Sequence, residues 1–157
     1  MQRDYILRLI EQVAQLLARV VKQRRDNTPQ EALQSIMAAF ERLFGMEAVQ
    51  LFQFTPDQHF AMLSAEDDPE SAREKVLMYA ALTLEAGRCY QALAQPKFAQ
   101  QSFVSALRLT LKARTEIDAQ TWPEFAPSEQ EMLSLLGDAT LDAETTALLA
   151  ASRRLPS

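Results

Sequence analysis

The sequence predicts an all-α protein of about seven helices, and three observations lead to that prediction. Only 3 glycines occur in 157 residues, which is too few for a fold that depends on many tight β-turns. Apolar side chains recur at intervals of three and four residues along nearly the whole chain, which is the spacing of amphipathic helices. Helix-start signals alternate with stops such as Gly45 and Gly137. No linker divides residues 1–157, so we expect a single helical domain.

The first two predicted helices form a hairpin over about residues 3–45. The first, over about residues 3–24, has a wide apolar face and a basic end, a pattern typical both of a packed helix and of a helix on a membrane surface. We expect packing under neighbouring helices, because basic residues at a helix C-terminus also complement its dipole. The second helix begins at Thr28, the expected N-cap, with Glu31 as its capping-box partner, and ends at Gly45.

An insert over about residues 46–65 and a second hairpin over about residues 68–117 follow. The insert is predicted to hold two short helices, Met46–Phe54 and one that starts with a capping sequence at Thr55. The second hairpin begins with an Asp-Pro-Glu capping sequence and turns at Gln95-Pro96. We therefore expect the short helices to fill the space between two longer pairs.

The C-terminal helices are predicted over about residues 128–153. Trp122–Pro127 cannot be regular helix throughout, because its two prolines bias the preceding residues toward extended backbone. Its aromatic side chains indicate a loop that is pinned to the body of the protein. A capping box starts the next helix at Ser128, Gly137 ends it, and Thr140–Arg153 forms the last amphipathic helix.

Small and large residues alternate in the second hairpin at a spacing that predicts close packing of its two helices. Gly87 lies in mid-helix, where it costs about 1 kcal/mol relative to alanine, so a close approach of another helix is expected there. Tyr90 follows one turn later, and Ala99, Phe103 and Ala106 form one face of the partner helix. This order of residues resembles a tetratricopeptide repeat. The resemblance implies an irregular tetratricopeptide-like stack of helical hairpins.

Two further features extend the resemblance to most of the chain. The second helix has a matching set of positions, Ala32, Ile36 and Ala39. Each precedes its counterpart among Ala99, Phe103 and Ala106 by the same number of residues, close to twice the ~34-residue repeat period. The first hairpin therefore resembles a degenerate repeat. The opening residues 2–12 also resemble the start of a family of small, uncharacterised bacterial helical proteins. That resemblance implies the order of helices and carries no catalytic residue.

The tetratricopeptide resemblance also implies a concave groove, lined by the exposed residues of the first helix of each hairpin. Repeats that clamp a C-terminal carboxylate place Lys and Asn at such positions, whereas this chain has Leu and Val at two of them. We therefore expect a more apolar groove, filled by a helix of the same chain or of another subunit. The implied groove residues are Leu17, Val21, Arg24, Leu84, Arg88 and Gln91.

Charge and composition exclude some classes of partner. The net charge of −5 argues against nucleic-acid binding, which depends on Lys and Arg that neutralise phosphates. Residues 1–25 carry six basic and two acidic side chains, and residues 115–152 carry eight acidic and no basic ones. The two charged ends are either solvated faces of opposite sign or surfaces that contact each other, within one chain or across a dimer. No stretch is apolar enough to span a membrane, and nothing resembles a secretory signal. Cytoplasmic localisation is expected.

Candidate catalytic and metal-binding residues are few. His59 is the only histidine, and a partly buried helix residue explains it better than a base or ligand. Cys89 has a cationic neighbour, but beside a helix crossing it is expected to be a small buried hydrophobe. The acidic cluster at Glu66–Glu70 lacks the alternating ligands and central glycine of a calcium loop. We therefore predict no catalytic residue, no metal and no cofactor.

Two functions of different class remain open. The first is a non-enzymatic interaction or scaffold module that binds a helix or an extended peptide. The second is an enzyme that uses carboxylates alone, which needs a polar pocket with paired acids of perturbed pKa. An apolar groove would favour binding, and a polar pocket with converging carboxylates would favour chemistry.

A homodimer is also predicted, because the apolar face of the first helix is too wide for one neighbour. Its expected contact residues are Tyr5, Leu9 and Leu16. The alternative is that the C-terminal helix folds back over the first helix.

Overall fold

The computed structural model describes residues 2–47, 53–65, 68–119 and 121–156. Within those ranges the chain forms seven α-helices and no strand, which confirms the predicted all-α fold. None of the helices in the described ranges is long and apolar enough to cross a membrane. The helices are α1 (Gln2–Arg25), α2 (Pro29–Phe44), α3 (Pro56–Leu63), α4 (Pro69–Ala92), α5 (Pro96–Glu116), α6 (Glu129–Leu136) and α7 (Ala143–Arg153).

The helix α4 is the centre of the fold. Both helices of the first hairpin, α1 and α2, pack against α4, and α5 packs along its length as its antiparallel partner. The short helix α3 contacts α4 and α5, while α6 and α7 pack on α5. Almost every residue from Ser71 to Leu84 is buried, because helices or loops cover α4 on most sides.

The first hairpin closes by a tight turn that differs from the predicted cap. Asn27 adopts a left-handed backbone with φ of 64°, and α2 starts two residues later. The Thr28 hydroxyl donates to the Gln23 carbonyl at 2.7 Å and makes no cap bond to α2. The predicted capping box between Thr28 and Glu31 is therefore wrong, because the hydroxyl satisfies a carbonyl at the end of α1 instead. The predicted stop at Gly45 is confirmed by its left-handed φ of 64°.

The second hairpin has the close crossing that its sequence predicts. A Cβ atom placed on Gly87 would lie 2.5 Å from Phe103 Cε1 and 3.1 Å from Ser102 Cβ. Such distances leave no room for a side chain, so α4 and α5 touch at this glycine. The three small and large positions of α5, Ala99, Phe103 and Ala106, are all buried.

The remaining starts and stops agree with the prediction in most places. The capping box at Thr55 is present in both directions, with distances of 3.2 and 2.8 Å to Gln58. Asp68 caps α4. Ser128 accepts from the Glu131 backbone at 3.3 Å, but the Glu131 carboxylate pairs with Arg88 instead of completing the box.

Three predicted segments need correction or fall outside the description. The last helix starts at Ala143 rather than Thr140, because the Asp142 carboxylate accepts from the Thr145 backbone at 2.7 Å and fixes the N-terminus there. The short helix predicted over Met46–Phe54 falls mainly on residues 48–52, which lie outside the described residues. Two members of the acidic cluster, residues 66 and 67, also lie outside them.

Both charged ends of the chain pair with its middle. Arg3 binds Glu74 at 2.7 Å, and Arg24 binds Glu85 at 3.2 Å, so the basic end is fastened to α4. In the acidic end, Glu144 binds Arg108 of α5 at 2.8 Å. Among the described residues these ion pairs join each end to the middle of the chain, and a contact between the two ends across a dimer stays a prediction.

Candidate functional site

Three of the six implied groove residues lie together, between α1 and α4. Leu17 and Val21 of α1 and Leu84 of α4 line a depression that we call the α1–α4 groove. Residues 125–128 form its far wall and leave a space of about 420 Å³. Phe125 and Ala126 pack on the central core. The groove is thus covered by the chain itself, as expected, but by a loop and not by a helix.

Arg73 anchors the segment that leads into that loop. Its guanidinium donates to the carbonyls of Ala113, Ala119 and Thr121 at 3.3, 2.7 and 2.8 Å. The same guanidinium lies 5.1 Å from the centre of the Trp122 ring, within cation–π distance. The prediction of a loop pinned by aromatic residues is therefore confirmed, while the buried arginine that anchors it was missed.

The other three implied residues lie apart from this groove or are occupied. The Arg24 guanidinium binds Glu85 at 3.2 Å, and Arg88 lies between Glu85 and Glu131. Both cations are satisfied inside the chain and are not presented to a ligand. Gln91 is exposed and lines a separate depression between α5 and α6. The structure therefore does not bring the six residues together in one site.

A larger depression, which was not predicted, lies on the opposite side of α4, between α2 and α5. It has a volume of about 980 Å³, at the upper end of the range for ligand pockets. We call it the α2–α5 groove. Its floor on α4 is Tyr79, Thr83, Ala86 and Tyr90; its walls include Met37 and Phe40 of α2 and Lys97, Phe98, Gln101, Ser105 and Arg108 of α5; its end is formed by Phe54, Pro56, His59 and Asp142.

Aromatic side chains dominate the groove. Tyr79 packs against Phe40, with ring centres 4.5 Å apart, and against His59 at 5.4 Å. At the other end Tyr90 stacks on Phe98 at 5.4 Å, and Phe98 remains 50% exposed. Burial raises the pKa of the Tyr79 hydroxyl, so it stays neutral. The groove therefore offers a mainly apolar surface with an exposed aromatic pair at one end.

An ion-pair cluster lies at the other end of the groove. Arg108 donates to Asp57 and Glu144 at 2.8 Å each and to Asp142 at 3.4 Å. Lys112 adds a contact to Asp57 at 3.3 Å. We call Arg108, Lys112, Asp57, Asp142 and Glu144 the Arg108 cluster. It joins α3 and α7 to α5, although its residues are far apart in sequence.

Asp57 and Asp142 of this cluster have lowered pKa values. The hydrogen bond from Arg108 holds the pKa of the Asp57 carboxyl below its usual value. The backbone hydrogen bond from Thr145 lowers the pKa of the Asp142 carboxyl in the same way. Lowered pKa values suit ion pairs, whereas a general acid at neutral pH needs a raised one.

His59 and Cys89 have the structural positions that the sequence favours. His59 is buried on α3 between the rings of Phe54 and Tyr79. Cys89 is fully buried, and burial raises the pKa of its thiol to about 11, away from the range of reactive thiols. In the part of the chain that the structure describes, no three His, Cys, Asp or Glu side chains are arranged to hold a metal ion.

Two of the three candidate dimer contacts are wrong. Leu9 and Leu16 are buried in the core, because the wide face of α1 is covered by both α2 and α4. The helix has two neighbours where the prediction allowed for one. The alternative cover, the C-terminal helix, is also wrong, since α7 packs on α5. Tyr5 is the exposed member of the three, at 46%.

No family model, curated protein or solved structure matches this chain.

Proposed function

We propose that this chain is a non-enzymatic protein-interaction module and that the α2–α5 groove binds a segment of a partner protein. The observation that carries the proposal is the groove itself, about 980 Å³ with an aromatic floor. The stacked pair of Tyr90 and Phe98 leaves an aromatic face exposed at its edge. Aromatic residues in partly desolvated pockets are the usual anchors of protein interfaces.

We further propose that the helices form a tetratricopeptide-like stack. The support is the order of packing, in which α4, the first helix of the second hairpin, contacts both helices of the first. The close approach of the two helices at Gly87 also agrees with that architecture. In such a stack each hairpin buries its face on its neighbour, and the surfaces left between hairpins serve for binding.

An enzyme based on carboxylates alone is the weaker proposal. Carboxylates do converge near the groove, but they converge on Arg108, which neutralises part of their charge. The pKa values of Asp57 and Asp142 are lowered, opposite to the shift that a general acid requires. The apolar character of the remaining groove favours binding over chemistry.

The proposed cellular compartment rests on the single cysteine. We propose that the protein acts in a reducing cytoplasm, where a single buried thiol such as Cys89 stays reduced. Self-association also stays a proposal, with Tyr5 as the exposed member of the predicted contact residues. Light scattering at micromolar concentration that gives the mass of one chain would contradict a dimer.

A library of displayed random peptides, selected on the full chain, tests the interaction proposal. We expect binders whose affinity falls about tenfold in Phe98→Ala, because loss of an aromatic anchor costs more than about 1 kcal/mol. Leu7→Ala is the matched control, since Leu7 is also 50% exposed but lies on α1. If no peptide is enriched, or if both variants bind equally well, the proposed function is wrong.

A further inference from the structure

We propose that the segment bound in the α2–α5 groove is a short amphipathic helix with Lys or Arg at the end that lies beside Asp142. This inference rests on the proposed function and specifies the partner's chemistry. It follows from the length of the groove, its three helical walls and the opposite character of its two ends.

The dimensions fit about three turns of helix. The groove-lining residues of α4 extend from Tyr79 to Tyr90, and those of α5 from Lys97 to Arg108. At a rise of 1.5 Å per residue, each stretch is roughly 16 Å long. The groove is bounded by α2, α4 and α5, and a fourth helix placed between three others completes a common packing arrangement. A helix therefore fits this space with its apolar face toward the aromatic floor.

The Arg108 cluster presents negative charge outward. The side chains of Arg108 and Lys112 are only 9% and 15% exposed, while those of Asp57, Asp142 and Glu144 are 45%, 54% and 73% exposed. The cations thus lie beneath the anions. Asp142 lines this end of the groove, and the exposed carboxylates of Asp57 and Glu144 bind the same guanidinium beside it, so a partner at this end is favoured to carry Lys or Arg rather than Asp or Glu.

A further observation agrees with this orientation. At the opposite end, Lys97 is exposed beside Phe98. A cation there disfavours a second basic residue and leaves the stacked rings to receive an apolar side chain. The two ends of the groove therefore differ in charge, so a bound amphipathic helix has one favoured direction.

The experiment compares the charge preference of selected peptides. Peptides of about twelve randomised residues are displayed on phage, selected on the full chain and sequenced. We expect enriched sequences with apolar residues at helical spacing and Lys or Arg near one end. The strongest binder is then synthesised with its basic residues unchanged or replaced by Gln, and its affinity is measured by fluorescence anisotropy at low and high salt. The Gln peptide should bind about tenfold more weakly at low salt, with a smaller difference at high salt.

The matching protein variant is Asp142→Asn combined with Glu144→Gln. Asparagine is also a good N-cap, so α7 should keep its start, and circular dichroism checks the fold. This variant should bind the basic and the Gln peptides equally well. Glu124→Gln is the control, because Glu124 is an exposed carboxylate in the 121–128 loop and not in the groove, and it should keep the tenfold preference.

Each result decides between the proposals. Binders without basic residues at one end, or an unchanged preference in the double variant, overturn the charge assignment while the interaction module stands. Binders rich in proline, or binders without helical dichroism in the complex, overturn the assignment of a helix. Failure to enrich any peptide overturns the proposed function as well.

Discussion

The two grooves on either side of α4 differ in what covers them. The α1–α4 groove is bordered by residues 125–128, which leave about 420 Å³. The α2–α5 groove has about 980 Å³ and has the short helix α3 at one end. Both have apolar floors, so apolar character alone does not identify a binding surface. The difference is that a loop of the chain, anchored by Arg73, already packs over the first.

The helix α3 is too short to cover the whole α2–α5 groove. The helix α3 has 8 residues, much shorter than the 16 residues of α2 or the 21 of α5. It reaches only the end near Tyr79, where His59 packs on that ring. Among the described residues, no helix covers the other end, with Tyr90 and Phe98.

The largest expected effect comes from the crossing of α5 with α4, the helix that lies between the two grooves. Gly87→Leu should lower the free energy of unfolding by about 3 kcal/mol or more, because even a Cβ would lie 2.5 Å from Phe103 Cε1. Gly87→Ala should cost less, since the better helix propensity of alanine offsets part of the strain. Urea unfolding measures both. If Gly87→Leu unfolds like the parent chain, the close crossing of α4 and α5 is wrong.

The next effect tests the anchor of the covered groove. Arg73→Met should cost about 2 to 3 kcal/mol, because three carbonyl acceptors lose a charged donor. Trp122 is the only tryptophan and lies over that guanidinium, so its fluorescence should change as the loop is released. Arg153→Met is the control, because the Arg153 side chain is 64% exposed. Equal stability of the two variants would show that the loop needs no anchor.

Two phenylalanines compare the grooves directly. Phe125 belongs to the loop and packs on the core, so Phe125→Ala should lower the stability by about 2 kcal/mol. Phe98 is half exposed in the open groove, so Phe98→Ala should cost well under about 1 kcal/mol. Thermal and urea unfolding measure the pair. A reversed order would mean that the cover of the first groove contributes little and that Phe98 is a structural residue.

The smallest effect is the pH dependence of the Arg108 cluster. The pKa values of Asp57 and Asp142 are lowered in the folded chain, so their contribution is present at neutral pH and is lost as the pH falls below the usual aspartate value near 4. The double variant Asp57→Asn with Asp142→Asn should therefore lose less stability on acidification than the parent. Urea unfolding at pH 7 and pH 3 checks this. If the parent and the double variant lose the same stability between pH 7 and pH 3, the ion pairs do not couple to folding.

The sequence predicts the fold well wherever the cause is local. Gly45, Asp68 and the Thr55 capping box act within one turn of helix, and all are confirmed. Thr28 is the exception, because its hydroxyl donates to the Gln23 carbonyl and does not accept from a backbone N–H of α2. Gly87 was interpretable because a glycine in mid-helix is costly unless another helix needs the space.

The open groove could not be predicted because its parts meet only in three dimensions. Arg108 binds partners at Asp57 and Asp142, and nothing in their spacing indicates that they meet. The choice of Leu9 and Leu16 as dimer contacts was wrong for a related reason, since the width of an apolar face shows how much surface is covered but not by how many helices. Leu9 and Leu16 are buried by two helices of the same chain.

The most direct test of the account is photo-crosslinking from one position in each groove. A benzophenone amino acid is placed at Gln101 in the α2–α5 groove, or at Ala18 in the α1–α4 groove, both on exposed positions. Each protein is then irradiated with the strongest selected peptide. The account predicts strong crosslinking from Gln101 and little from Ala18. Equal crosslinking, or crosslinking from Ala18 alone, would contradict the claim that the groove between α2 and α5 is the binding surface.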